Sequence, residues 1–143
     1  TKGESTGPII KELSASGVKL NITAIFTLNQ VEEVAKNLSQ ETFAIISVFA
    51  GRIADSGVDP MPVMRECVEI LKVLPKAELL WASPRELLNI VQADEVGCHI
   101  ITATPGILNK LELLGKDLTE FSLDTVKMFY NDANAAGYEI KTV

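Results

Sequence analysis

The chain has few of the residues on which metal, redox and triad chemistry depend. Its 143 residues include two cysteines and one histidine. Cys67 and Cys98 lie far apart and match no metal-binding spacing, so we expect reduced core thiols and no metal site. His99 has no serine or cysteine triad around it and is expected to be structural. No glycine fingerprint for a dinucleotide or a nucleoside triphosphate is present, and no cofactor is predicted.

Long apolar runs and an excess of positive charge are also absent. No apolar run approaches the length that crosses a bilayer, so no membrane partner is expected. Residues 1–6 have no apolar core and do not resemble a signal peptide. The net charge is −6, which argues against nucleic acid as the main partner, although local basic groups could still bind a small anion. With reduced cysteines, these features predict a cytoplasmic protein.

The residues that are present suffice for one domain with a core. Hydrophobic residues make up 47% and charged residues 22% of the chain, a balance that predicts folding rather than disorder. We therefore expect a single domain over residues 1–143. The chain begins without a methionine and enters a helix almost at once, which suggests a piece of a longer protein.

Apolar periodicity and capping residues predict alternating helices and strands. Strands are expected over residues 18–26, 43–50, 77–82 and 98–103, and helices over residues 3–14 and 122–135 and after Thr27, Asp59, Ser83 and Thr104. A strand about every 25 to 30 residues is the period of βα units with a parallel sheet. Four such units are half of an eight-stranded barrel, and an open doubly wound sheet is the competing architecture.

Several polar residues stand where the predicted strands end, which is the edge where α/β proteins bind ligands. Arg52 follows a buried run, and a guanidinium suits a phosphate, although pairing with a helix carboxylate would also explain it. Ser83 and Arg85 stand at a predicted helix start, where an anion could bind. Alternatively, Ser83 only caps that helix and Arg85 lies on a solvated face. Asp55 could bind a cation in the loop predicted after Arg52.

The first predicted strand carries two polar residues within an apolar run. Asn21 and Thr23 are two positions apart, which places both side chains on one face of the strand. We expect both side chains to be buried, so they need hydrogen-bond partners, which a ligand, a water molecule or a neighbouring strand could supply. Trp81 is expected to pack in the core.

These strand ends resemble the transaldolase and fructose-6-phosphate aldolase family. Residues 21–24 (Asn-Ile-Thr-Ala), 47–52 (Ser-Val-Phe-Ala-Gly-Arg) and 82–85 (Ala-Ser-Pro-Arg) are similar to three successive strand ends of that family in order and spacing. The resemblance covers nearly the whole chain. It implies a (β/α)₈ TIM barrel, of which this chain is the carboxyl-terminal half of about four βα units with an added terminal helix. It also implies phosphorylated sugar substrates and a Schiff base on a barrel lysine.

The resemblance further implies roles for single residues. Arg52, Ser83 and Arg85 resemble the groups that hold the sugar phosphate. Ser47 resembles a serine that lines the pocket, and Phe49 falls at a wall position that some members fill with tyrosine. Among the residues closer to the chemistry, Asn21 resembles a substrate-contacting asparagine. Thr23 resembles the threonine that positions the catalytic water.

The chain departs from the family at the Schiff-base lysine. In the family, this lysine and the carboxylates that assist it precede the helix with which this chain opens. Lys2 lies in the opening loop and Lys19 at the wrong end of its strand, so neither has the burial or cationic neighbour that activates an amine. We therefore expect a fragment that binds sugar phosphates but is inactive alone and pairs with a missing amino-terminal half.

Two other interpretations of the same residues remain open. One is a non-catalytic phosphosugar-binding or structural half-barrel that forms a homo-oligomer, because open sheet edges can pair with a second copy. The other is an open α/β sheet that binds a small phosphate ligand and is unrelated to aldolases.

Overall fold

Helices and strands alternate along the first part of the computed structural model, which describes residues 3–138. The elements are α1 (Gly7–Ala15), β1 (Leu20–Ile25), α2 (Leu28–Asn37), β2 (Ala44–Val48), α3 (Ala50–Asp55), α4 (Pro60–Leu71), β3 (Ala77–Trp81), α5 (Leu88–Glu95), β4 (Ile100–Ile101) and α6 (Pro105–Leu108). A 3₁₀ turn (Leu111–Leu113) and α7 (Leu118–Ala135) follow. Lys2 and most of the tail predicted from residue 137 onward lie outside the described residues.

Four parallel strands form one sheet in the order β1-β2-β3-β4. Ile46 of β2 lies opposite Ile22 of β1 and Leu79 of β3. Parallel neighbours in sequence order are what consecutive βα units produce. The prediction of an α/β fold with a parallel sheet is confirmed, and the architecture is consistent with part of a (β/α)₈ barrel.

One face of the sheet carries the main core. Alternate strand residues such as Ile46, Leu79 and Trp81 are fully buried among side chains of α2 and α4. Helices α1, α2 and α4 pack side by side. The opposite face is more open, since Asn21 and Thr23 are exposed and Ile45, Glu78 and Ile100 are only half-buried. Trp81 is thus a core residue, as predicted.

Capping side chains explain where three helices begin. Thr27 and Gln30 form the predicted capping box, in which Oγ1 of Thr27 accepts from N of Gln30 at 3.3 Å and Oε1 of Gln30 accepts from N of Thr27 at 3.0 Å. Asp59 accepts from N of Met61 at 2.9 Å and Thr104 from N of Ile107 at 3.4 Å. These predicted helix starts are confirmed.

Two local predictions were wrong, and both concern the carboxyl end of the sheet. The loop expected after Arg52 is preceded and partly replaced by the short helix α3, which contains Arg52 and ends at Asp55. The helix expected at Ser83 begins only at Leu88. Before that helix, Oδ1 of Asn89 accepts from the backbone N–H groups of Arg85 at 2.7 Å and Glu86 at 3.3 Å. The helix predicted after Thr104 is the short α6, which ends at Leu108.

The chain divides into two compact units, Thr1–Asn109 and Lys110–Val143. In the second unit, α7 begins four residues earlier than expected, because Asp117 Oδ1 accepts from N of Thr119 and N of Glu120. Large apolar side chains along this helix, among them Phe129 and Tyr130, are exposed. Within residues 3–138, no helix is both long enough and apolar enough to span a membrane.

Candidate functional site

The segments that follow the strands leave the sheet from one edge. Backbone hydrogen bonds continue the pairing past the strand ends, from N of Phe49 to O of Ile25 and from N of Ala82 to O of Val48, both at 2.8 Å. Each segment therefore starts beside its neighbour. The residues predicted from the strand ends are carried by these segments, at the carboxyl edge of the sheet.

Gly51 permits helix α3 to lie directly against the segment after β3. Its N–H donates to O of Ala82 at 3.3 Å. A Cβ at position 51 would lie 1.5 Å from the carbonyl oxygen of Ser83, a separation that no side chain allows. The glycine before Arg52 is thus required by this backbone approach, which holds Arg52 close to the segment that contains Arg85.

Ser83 occupies a backbone conformation that serine seldom adopts. Its φ is 57°, in the left-handed region, and the residue is half-buried. An N-cap residue has an extended backbone, so this conformation is the physical reason that Ser83 does not cap a helix. Such conformations persist where the surrounding structure imposes them and are frequent at functional sites.

Arg85 is held by Asp55, a partner that the sequence analysis did not assign to it. Nε of Arg85 donates to Oδ1 and Oδ2 of Asp55 at 3.0 and 3.1 Å, and Nη2 also donates to Oδ2. Both side chains are about half exposed. The hydrogen bonds from Arg85 lower the pKa of Asp55, with a smaller contribution from the charge of Arg52. The ion pair is therefore lost only when the pH falls through that lowered pKa.

Arg52 lies on α3 one turn before Asp55. Its guanidinium is 5.4 Å from the centre of the Phe49 ring, a cation–π distance, and that ring packs against Phe26 at 5.7 Å between centres. Arg52 is exposed and forms no ion pair with any residue between 3 and 138. The interpretation that Arg52 only pairs with a helix carboxylate is therefore not supported, and its charge is available to a ligand.

Arg52, Asp55, Ser83 and Arg85 together form what we call the strand-end cluster. It contains two guanidinium groups and one carboxylate, so it carries one net positive charge on a chain whose net charge is −6. Backbone contact between Gly51 and Ser83 and the Arg85–Asp55 pair join its two segments. The structure thus brings the three predicted phosphate ligands to one side of the sheet edge. The chemistry of the cluster suits an anion that accepts several hydrogen bonds.

Asn21 and Ser47 bond to each other across two strands. Oγ of the buried Ser47 donates to Oδ1 of Asn21 at 2.7 Å. Asn21 is exposed rather than buried as predicted, because β1 pairs with β2 alone and is an edge strand of this sheet. Of the partners that the sequence left open, a neighbouring strand is the one that Asn21 has.

Thr23 is separated from that pair by an irregularity in β1. The pairing of β1 with β2 shifts register between Ile22 and Ile25, and Ala24 has a φ of 61°. Thr23 is exposed and lines a cavity of about 410 Å³ with residues of the opening segment and of α2, among them Thr6 and Gln30. Within residues 3–138, no hydrogen bond joins Thr23 to Asn21 or Ser47.

No lysine in the described part of the chain lies on a strand. Lys19 immediately precedes β1 and is exposed, at the edge of the sheet opposite the strand-end cluster. His99 accepts a hydrogen bond from N of Leu79 through Nδ1 at 3.1 Å, a contact with β3 that agrees with the predicted structural role. Burial raises the pKa of Cys67 and Cys98 to about 12, so both thiols stay protonated near neutral pH.

Three residues that shape this site were not predicted to do so from the sequence. Asp55 was considered only as a cation ligand, Gly51 only as part of the motif over residues 47–52, and Asn89 not at all. The spacing from Arg52 to Asp55 places both side chains on one face of a helix, and this signal was available once α3 was recognised. Nothing in the local sequence pairs Asp55 with Arg85, which lies 30 positions further along.

Comparison with known proteins agrees with the resemblance seen at the strand ends. The profile of the family "Transaldolase/Fructose-6-phosphate aldolase" matches residues 3–142. A probable transaldolase of Nitrosopumilus maritimus is 32% identical over 133 residues, which are 92% of this chain and 57% of the relative. A probable transaldolase of Herpetosiphon aurantiacus is 33% identical over 81% of this chain and 50% of its own length.

A third relative, probable transaldolase 2 of Listeria monocytogenes, is 36% identical over 71% of this chain and 45% of its own length. The chain therefore spans about half the length of the curated relatives that it matches. Since the family profile covers almost every residue, including all four strands and the strand-end cluster, the chain belongs to the transaldolase/fructose-6-phosphate aldolase family.

Proposed function

We propose that this chain binds phosphorylated sugars at the carboxyl edge of its sheet and forms the phosphate-binding half of a transaldolase-type site. In this proposal, Arg52, Ser83 and Arg85 hold the phosphate. The observation that carries it is Arg52, an exposed guanidinium without an ion-pair partner in the described chain, beside the segment of Ser83 and Arg85. A phosphate would neutralise the positive charge of the strand-end cluster and accept from several donors at once.

The residues of β1 and β2 would contact the sugar rather than the phosphate. Asn21 and Ser47 bond to each other on the more open face of the sheet, where a sugar hydroxyl could join them. The Phe49 ring lies beneath the guanidinium of Arg52 and would form a wall of the sugar pocket. We assign Thr23, which lines the cavity beside β1, to the positioning of a catalytic water. Family membership and the exposure of Asn21 and Thr23 support these roles.

The amine that forms a Schiff base would come from outside the described strands. Phosphate contacts supply binding energy and hold the carbonyl in line, but they do not replace a covalent nucleophile. We propose that further βα units of the same barrel pack beside the edge strand β1 and carry that lysine, and that this chain alone forms no Schiff base. The two compact units would then belong to one catalytic domain, in a cytoplasmic enzyme.

The experiment that tests this function measures binding of fructose 6-phosphate by titration calorimetry. Arg52→Ala should weaken binding about 10- to 100-fold, because charge-assisted hydrogen bonds are lost. Arg65→Ala is the matched control, since it removes another exposed guanidinium, one that pairs with Glu95. Fructose without its phosphate should bind far more weakly. Equal affinity of the wild type and the Arg52 variant would remove Arg52 from the site.

A non-catalytic half-barrel that closes by pairing with a second copy is the second candidate, favoured by the edge strand β1 and the more open sheet face. Sedimentation at low concentration distinguishes the two. A folded monomer that binds fructose 6-phosphate supports the first proposal, and a stable dimer of the chain supports the second.

A further inference from the structure

We propose that Asp55 is a positioning residue that orients the guanidinium of Arg85 so that one edge of its fork faces a phosphate. This inference rests on the proposed function and deepens it. The carboxylate of Asp55 accepts hydrogen bonds from Nε and Nη2, which form one edge of the Arg85 guanidinium. The other edge, formed by Nη1 and Nη2, has no partner among residues 3–138. A guanidinium is planar, so fixing one edge fixes the direction of the other.

Hydrogen bonds and a close backbone contact hold the main chain on both sides of the Arg85–Asp55 pair. The N–H of Arg85 donates to Oδ1 of Asn89 at 2.7 Å, and the buried Asn89 in turn donates to Oε1 of Gln92 at 2.9 Å. On the other side, the contact between Gly51 and Ser83 fixes α3, which carries Asp55. Arg85 is therefore constrained at its main chain and at its guanidinium by different elements.

An exposed ion pair usually contributes little, but this pair has the geometry that makes an exception. Single surface pairs lose most of their attraction to solvent screening and to side-chain entropy. A carboxylate that spans two donors of one guanidinium restricts several rotatable bonds at once. Ordering Arg85 before the ligand arrives would reduce the entropy that binding must otherwise overcome. The lowered pKa of Asp55 keeps its carboxylate charged over the neutral range.

Positioning and simple electrostatics predict opposite results for Asp55→Ala. The substitution removes a negative charge beside the phosphate site, which by charge alone should tighten the binding of an anion. If Asp55 positions Arg85, affinity should instead fall about three- to tenfold. Asp55→Asn keeps one acceptor oxygen and should give an intermediate affinity.

The test is titration calorimetry of fructose 6-phosphate with the wild type, the two Asp55 variants, Arg85→Ala and the double variant. Glu95→Ala is the matched control, because it removes an exposed carboxylate that pairs with Arg65 away from the cluster. It should leave affinity unchanged, and Asp55→Ala should have no further effect once Arg85 is absent. Unchanged or tighter binding by Asp55→Ala, with Arg52→Ala and Arg85→Ala both impaired, would overturn the inference and leave the proposed function standing.

A second measurement needs neither a ligand nor a variant. Proton exchange of the Arg85 Nε–H, followed by NMR in the wild type, should be several-fold slower than that of Arg52, whose guanidinium has no carboxylate partner among residues 3–138. Equal exchange rates would show that Asp55 does not hold Arg85, whatever the sugar titration gives.

Discussion

At the scale of single residues, the strand-end cluster combines side chains that the sequence suggests with contacts that it does not. Arg52, Ser83 and Arg85 stand out because they follow apolar runs. The bond between Arg85 and Asp55 could not be predicted, because it depends on how two segments meet 30 positions apart in the chain. The capping expected of Ser83 failed because its φ of 57° is not the extended backbone of an N-cap residue. Asn89 instead supplies the acceptor for the N–H groups of Arg85 and Glu86.

The left-handed conformation of Ser83 makes a prediction that separates stability from binding. Ser83→Gly should raise the free energy of unfolding by about 1 kcal/mol, because glycine adopts positive φ without a Cβ penalty. Ser83→Ala keeps the strained backbone and should not be stabilised. Both variants lose the hydroxyl and should bind fructose 6-phosphate about tenfold more weakly.

Urea unfolding measures the stability of the Ser83→Gly and Ser83→Ala variants, and titration calorimetry measures their affinity for fructose 6-phosphate. Identical stability of the glycine and alanine variants would contradict the strain at position 83. Affinity equal to that of the wild type in both variants would exclude the hydroxyl from the site.

At the scale of elements, the order of βα units could be predicted from the sequence, but the structure of the segments that follow the strands could not. Apolar periodicity and the caps at Thr27, Asp59 and Thr104 identified where helices begin. The short helix α3 was missed because it follows β2 with one residue between them and starts without a side-chain cap. Such a helix depends on tertiary packing, here on the contact of Gly51 with the segment after β3.

That contact predicts a cost for Gly51→Ala. A methyl group there would meet the Ser83 carbonyl, so α3 must shift and the free energy of unfolding should fall by about 1–3 kcal/mol. Gly106→Ala is the matched control, because Cβ at that helical position would meet only Oγ1 of Thr104 at 3.9 Å. It should stay within about 1 kcal/mol of the wild type.

Urea denaturation of both glycine variants measures the difference. If Gly51→Ala is as stable as Gly106→Ala, the close approach of α3 to Ser83 is not as described. The shift of α3 should also weaken sugar-phosphate binding, since α3 carries both Arg52 and Asp55.

At the scale of the whole molecule, the sheet has the organisation of part of a barrel. One face packs against a layer of helices, and the other presents Asn21 and the half-buried Ile45 and Glu78. Closed barrels bury both faces of the sheet. The chain spans about half the length of its curated relatives, which agrees with four strands rather than eight. The family was recognisable from three strand-end motifs because their spacing reflects this repeated unit.

The division of labour within the site follows from that organisation. In the proposed site, the segments after β2 and β3 would supply donors for a phosphate, and β1 and β2 would supply polar side chains for a sugar. No lysine lies on the described strands. The proposed function therefore requires that separate segments at one edge of the sheet converge and bind one phosphate.

The most direct test of this convergence is an NMR titration of the chain with fructose 6-phosphate, observing the Nε–H groups of all three arginines and the amide of Ser83. We predict that Arg52, Ser83 and Arg85 shift together on one saturation curve, that Arg65 does not move, and that fructose at the same concentration moves none of them. Arg52 and Arg85 responding with different midpoints, or not responding at all, would contradict a shared phosphate site.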